Sequence, residues 1–271
     1  MLKNIALITL LVSGISFAQK SETQKNKLLG NPVFVEESMQ KANIRMSQIV
    51  NYELEYYTKS NYNSEGNPTK REYFNEAGER TFSESFNYNE AGKIASREMK
   101  SEDESLIFNF DYEYTAEDYS ITKSENDVNV SKTTYKLDNN QNIIYEKEVN
   151  LLEDNEVFVE KKYDYQNDFL VKTSVKYNQG SYTLDYKNDA KGNPTQELYI
   201  DKDNKLINKY IRKFDTNNNI IEESTFGADG KLTNVSTIKY QYDDKKNWTK
   251  RTQYASKIDQ PISNTTRTIR Y

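Results

Sequence analysis

The stretch Tyr88-Asn89-Glu90-Ala91-Gly92-Lys93-Ile94 decides how the rest of the chain is read. An aromatic residue is followed by Asn, two loose positions, Gly, a polar residue and an apolar one. The phrase returns as Tyr62-Asn63-Ser64-Glu65-Gly66-Asn67-Pro68, as Phe226-Gly227-Ala228-Asp229-Gly230-Lys231-Leu232 and as Tyr242-Asp243-Asp244-Lys245-Lys246-Asn247-Trp248. Its positions suit a hairpin loop. Asp or Asn in second place accepts hydrogen bonds from the backbone amides that follow. Gly in fifth place adopts the positive φ that closes a turn into a bulge. Asn204 and Asn218 hold that slot in two further copies and tolerate the conformation nearly as well. Weaker copies begin at Phe74, Leu137, Tyr165 and Asn188. Most gaps between copies are 12–16 residues or about twice that, the length of one strand and one loop.

Between the phrases the pattern has period two. Leu106, Phe108, Phe110, Tyr112 and Tyr114 alternate with Ile107, Asn109, Asp111 and Glu113. Val157, Val159, Tyr163 and Tyr165 share a parity, as do Tyr182, Leu184 and Tyr186, and Ile238, Tyr240 and Tyr242. Such alternation marks half-buried strands. The expected fold is all-β: an elongated antiparallel meander of tandem hairpins over 51–271, open or curled. One short helix over 34–50 is expected before it. There Val35, Met39, Ala42, Met46 and Ile49 recur at intervals of four and three, with Glu36 and Glu37 near the start, where acidic groups suit the helix dipole.

Residues 1–18 read as a secretory signal. Lys3 precedes the apolar run Ile5 to Val12, and Ser16-Phe17-Ala18 supplies the small residues before a cut. The run is shorter than the roughly 20 residues a membrane-spanning helix needs. Residues 19–33 are polar and read as a flexible leader. The expected location is periplasmic or extracellular, with no membrane insertion after cleavage.

Composition excludes several chemistries. The 271 residues carry a net charge of −5, and loss of Lys3 with the signal makes the mature chain one unit more acidic. A nucleic-acid partner, whose phosphates demand a basic surface, is not expected. There is no Cys and no His. This removes disulfides, Ser-His-Asp and Cys-His nucleophilic sites and the usual zinc sites. The hydrophobic fraction, 35%, is low, but 22 tyrosines argue against disorder. Tyr buries a ring while its hydroxyl stays wet, which suits a thin sheet with shallow packing.

The phrases Tyr240-Gln241-Tyr242-Asp243-Asp244-Lys245-Lys246-Asn247-Trp248 and Asp189-Ala190-Lys191-Gly192-Asn193-Pro194 resemble the tyrosine–aspartate repeats of the RHS/YD-repeat family. The resemblance implies a long sheet of tandem hairpins, exported or surface-associated, and carbohydrate or envelope binding. Several copies lack the Gly, and the copy at Asn188 lacks the first aromatic residue.

Asp138, Asp201 and Asp215 open Asp/Asn-rich turns that imitate part of a calcium loop. Without the later bidentate Glu they read as plain turns, so no metal or cofactor is expected. Glu53, Glu55, Asp111, Glu113, Glu222 and Glu223 include no pair marked out for glycoside hydrolysis. They read as solvated charges that also protect sheet edges. Lys245-Lys246 and Lys250-Arg251 read as a solvated basic surface. Trp248 stays open between a sugar platform and a local core. No catalytic residue is assigned and the binding residues are unknown. The expected function is an exported, non-catalytic binding or scaffold protein of the envelope or exterior, with a glycan or an envelope protein as partner. A structural role in an envelope assembly comes second and a carboxylate-based glycan hydrolase third.

Overall fold

The computed structural model describes residues 28–46, 48–256 and 258–271. The signal over 1–18 and most of the leader, 19–27, lie outside the described residues. Eighteen strands follow one another: β1 (Phe34–Arg45), β2 (Gln48–Tyr62), β3 (Pro68–Phe74), β4 (Arg80–Tyr88), β5 (Ile94–Ser101), β6 (Ile107–Tyr114), β7 (Asp118–Glu125), β8 (Val128–Leu137) and β9 (Ile143–Asn150) form the first half. The second half is β10 (Glu156–Gln166), β11 (Phe169–Tyr177), β12 (Gly180–Asn188), β13 (Pro194–Asp201), β14 (Leu206–Phe214), β15 (Ile220–Phe226), β16 (Leu232–Tyr242), β17 (Trp248–Ala255) and β18 (Ile258–Arg270).

Each strand pairs antiparallel with the next, and β18 pairs back onto β1, from Phe34 opposite Arg270 to Lys41 opposite Ser263. The sheet is a closed up-and-down barrel. This corrects the expected elongated open meander. Closure removes the two edges that an open sheet would expose to aggregation.

The expected helix over 34–50 is also corrected: those residues form β1 and the start of β2. The misreading has a geometric source. Val35 and Met39 are four residues apart, and a spacing of four returns to the same face of a helix and of a strand alike. A short isolated helix would gain little in water. As a strand, the segment gains hydrogen-bonded ladders with both β2 and β18.

The repeated phrases form the loops in the way their residues predict. Asp215 Oδ1 accepts the backbone N–H of Asn217 at 2.9 Å and of Asn219 at 2.8 Å. Asp243 Oδ1 accepts those of Lys245 and Asn247 in the same way. The fifth position has positive φ whether it holds Gly92 (71°), Asn218 (62°) or Lys246 (66°). Strand register slips by one residue where the phrase begins, as at Asn87/Tyr88 and Gln241/Tyr242.

Alternate turns lie at opposite ends of the barrel. One end, the terminal mouth, carries the β2–β3, β4–β5, β6–β7, β8–β9, β10–β11, β12–β13, β14–β15 and β16–β17 turns. Leu28 to Val33 also lies there. Leu29 N–H donates to Asn247 Oδ1 at 2.7 Å, Asn247 Nδ2 donates to Leu29 O at 2.8 Å, and Pro32 is fully buried.

Side chains alternate between the two faces of the wall. One face buries even short side chains, such as Ser60, Ser236 and Thr265, of which Thr265 is only 1% exposed. Crowding of that kind belongs to the concave, inward face, where side chains converge. The inward set includes Tyr56, Arg71, Glu84, Arg97, Tyr119, Tyr135, Tyr163, Arg212, Tyr240 and Arg267. A buried hydrophobic cluster of Tyr119, Tyr135 and Ile143 lies against the wall, and its two rings stack with centroids 4.4 Å apart. The outward face carries Lys59, Glu72, Lys100, Asp111, Lys147 and Lys239.

Candidate functional site: the inner wall and terminal mouth

Five arginines point inward, and strand register places each one. Arg71 and Arg97 flank Glu84, which is 1% exposed. Their Nη1 atoms lie 3.4 and 3.1 Å from its carboxylate oxygens, and Tyr73 donates to it at 3.1 Å. The Arg97 guanidinium also covers the Phe110 ring, 3.7 Å from its centroid. Arg212 bridges Glu223 at 2.7 Å and Glu197 at 2.9 Å. Arg267 pairs with Glu37, which also accepts the Tyr56 hydroxyl. A buried charge is tolerated when an opposite charge lies against it, and each of these groups has one, although Glu84 Oε1 and Arg97 Nε make no hydrogen bond among the described residues.

Another inward carboxylate, Glu146, takes Lys161 at 2.8 Å and the Tyr163 hydroxyl at 2.7 Å. Burial first, and then the Glu146 charge, push the Tyr163 hydroxyl far above its ordinary pKa. Burial and Glu37 do the same to Tyr56. These phenols stay neutral donors at any working pH.

Arg251 differs from the other four. It stands on β17 opposite Tyr240 on β16 and Thr265 on β18. It stands beside the Tyr240 hydroxyl, which donates to Ile220 O at 3.0 Å. Among the described residues it has no carboxylate partner. This corrects its reading as part of a solvated basic cluster: Lys250 points outward, and Arg251 points into the barrel.

Two hollows meet at the terminal mouth. One, about 250 Å³, is lined by Leu28, Glu37, Ser60, Tyr62, Arg71 and Arg267, among others. The second, about 270 Å³, is lined by Leu29, Asn217, Asn218, Asn219, Asn247, Trp248 and Arg267, with Lys246 at its edge. Trp248 is neither a bare platform nor a dry core. The Arg267 guanidinium sits 3.4 Å from its ring centroid, and Tyr240 meets it edge-on at 6.2 Å. A larger hollow, about 820 Å³, lies in the outer wall between Lys136, Tyr145, Lys147 and Lys162. It opens directly to water, so the inner wall is the stronger candidate.

The carboxylates considered from sequence are not brought together. Glu223 points inward to Arg212, Glu222 points outward to Lys213, and Glu113 pairs with Lys132. Asp138, Asp201 and Asp215 hold turn amides. Sequence reasoning missed the inward arginines. The signal was parity: Arg212 alternates in step with Tyr210 and Phe214, whereas Lys213 takes the other face.

No family model matches the chain, and no curated protein matches it. The resemblance to RHS/YD-repeat proteins is thereby corrected, since closure of the ring also departs from the hairpin meander it implied. Among solved structures the chain is similar to a porin-like protein from Bacteroides uniformis ATCC 8492, at 9% identity and a TM-score of 0.47, over 89% of this chain and 97% of that one. It is also similar to a porin-like protein from Bacteroides vulgatus ATCC 8482, at 13% identity and a TM-score of 0.44, over 70% of this chain and 93% of that one. These likenesses carry no argument about activity.

Proposed function

We propose that this chain is an exported, non-catalytic binding protein of the cell envelope or exterior, and that its barrel takes up a glycan. The observation that carries this reading is the inner wall. An 18-strand ring is wider than side chains can fill, as it is in channel-forming barrels of similar strand number. Here the wall facing that space offers tyrosine rings and hydroxyls, amides and fixed guanidinium groups. Sugar rings pack an apolar face against aromatic rings and present hydroxyls to such donors and acceptors.

The outer wall supports a water-soluble barrel. Lys59, Lys100, Lys147 and Lys239 would each cost about 2–4 kcal/mol at the midplane of a bilayer. The signal-like residues 1–18 support export. The paired state of Glu84, Glu146, Glu197 and Glu223 argues against a carboxylate hydrolase, which needs one acid and one base free to exchange protons. A second reading, a structural partner in an envelope assembly, has one observation in its favour. Met46, Val128, Leu152 and Phe158 are exposed at the mouth opposite the termini.

The test is a titration of purified 19–271 with neutral and acidic polysaccharides, followed by Trp248 fluorescence and by calorimetry. A saturable response for one glycan class is expected. Silence in both channels would reject glycan binding and leave the assembly reading.

A further inference from the structure

We propose that Arg251 is the anchor for a carboxylate on the bound ligand, so that the barrel prefers glycans built from uronic acids over neutral ones. This rests on the reading of the inner wall as a glycan site and names its substrate class. The argument begins from an imbalance. Arg71 and Arg97 share Glu84, Arg212 has Glu197 and Glu223, and Arg267 has Glu37. Arg251 is half-buried on the same wall, stands beside the uncharged Tyr240 hydroxyl, and has no ion pair among the described residues. Its neighbours on the adjoining strands are Tyr240 and Thr265, which bring no negative charge. Arg267 lies on the next strand, in the same sector, and has Glu37 against it, so of these two guanidinium groups only Arg251 lacks a carboxylate in contact among the described residues.

Guanidinium is a planar fork that matches a carboxylate with two parallel hydrogen bonds. A partly desolvated fork without a counterion gains most from an incoming anion, because the cost of removing its water has already been met by folding. The rings of Tyr56, Tyr240 and Trp248 stand in the same sector, and the Tyr240–Trp248 contact places two of them at the terminal mouth. A ring carrying one carboxylate fits this combination. A densely charged polyphosphate does not, since Glu37 lies within the sector.

The experiment compares trigalacturonate with its fully methyl-esterified form, which keeps the rings and removes the charge. Binding to the full mature chain is measured by calorimetry and Trp248 fluorescence at low salt. The variants are Arg251→Gln, Arg251→Lys and the outward-facing Lys250→Gln. The wild type is expected to bind the acid at least about tenfold more tightly than the ester, the scale of a hydrogen bond to a charged group. Arg251→Gln should abolish that preference while keeping ester binding, Arg251→Lys should keep part of it, and Lys250→Gln should keep all of it. Retained ester binding also shows that the variant is folded. Equal binding of acid and ester to the wild type would overturn the role of Arg251 and leave the glycan reading standing. Equal losses in Arg251→Gln and Lys250→Gln would overturn it too, as a general charge effect. Binding of neither trimer would overturn this proposal, and the polysaccharide titration then decides whether the glycan reading falls with it.

Discussion

The Tyr271 hydroxyl donates to Asp243 Oδ2 at 2.6 Å, and Tyr242 makes the same bond to Asp215 Oδ2 at 2.6 Å. The aromatic ring lies two strands further round the barrel in both cases: Tyr242 at the β16–β17 turn and Tyr271 just past β18. Asn219 and Asn247 donate back to the same phenols, at 3.0 and 2.6 Å. The turns of the terminal mouth are therefore laced to one another there. The working repeat is two strands, although the sequence phrase recurs after one.

Removing a clamp should loosen the mouth without unfolding the wall. Tyr271→Phe deletes a hydroxyl that makes two partly exposed hydrogen bonds, together a net loss of about 0.5–1 kcal/mol. For a chain of this size the melting temperature should fall by roughly 1–4 °C. Tyr242→Phe should do the same, and the double variant should show the sum, because the two hydroxyls serve different turns. Unchanged melting in all three would mean that the clamps add nothing to stability.

Ring closure makes a prediction that an open sheet does not. In an open sheet β18 and the 34–45 segment would be edges or unpaired, with exchanging amides. In the closed barrel Phe34 to Lys41 and Ser263 to Arg270 are paired strands. Hydrogen exchange followed by mass spectrometry should find both segments as protected as β13 and β14. Rapid exchange of both would refute closure.

Glu84 binds two arginines from a position that water does not reach. Glu84→Ala removes the buried carboxylate that both guanidinium groups share and should cost about 3–5 kcal/mol. Urea denaturation should show the midpoint moving down. A shift no larger than that of an outward-facing change such as Glu98→Ala would show that the cluster does not support the wall.

Acid should weaken the terminal mouth through its turn carboxylates. Burial works to raise the pKa of Asp215, but the Tyr242 hydroxyl and the Asn219 and Asn217 bonds outweigh it and hold the group below its ordinary value. A carboxylate depressed in the folded state stabilises the fold fully above its unfolded pKa, roughly 3.9. That contribution disappears as pH falls through the lower, folded value. Melting temperature should therefore drop below about pH 4, and Asp215→Asn, which has no charge to lose, should flatten part of that drop. Identical acid limbs for the two proteins would show that Asp215 is not among the groups responsible.

Much of the local structure was legible. The phrase at Tyr88 to Ile94 predicted a hairpin loop, and the loop, its bulge and its side-chain cap are all present. Alternation at Phe108 to Tyr114 predicted β6. Both are short-range matters: a turn is decided by the φ its residues accept and by side chains two to four positions away. The segment 34–50 failed because Val35 and Met39 satisfy helix and strand faces equally, and only the partner strands break the tie. The site was less legible still. Arg251 follows Lys250 in sequence and looks like half of a basic pair, yet the pleat sends one into the barrel and the other into water.

By itself, then, the sequence determined where the chain turns and which residues alternate, because those follow from contacts within a few positions. Only the tertiary structure decided that β18 meets β1, which face is concave and which charges share the space inside. Pairing residues more than two hundred positions apart depends on the twist and bulges of every intervening strand, a sum that no local pattern records. Once that sum closes the ring, residues scattered over the chain, such as Glu37 and Arg267, become neighbours.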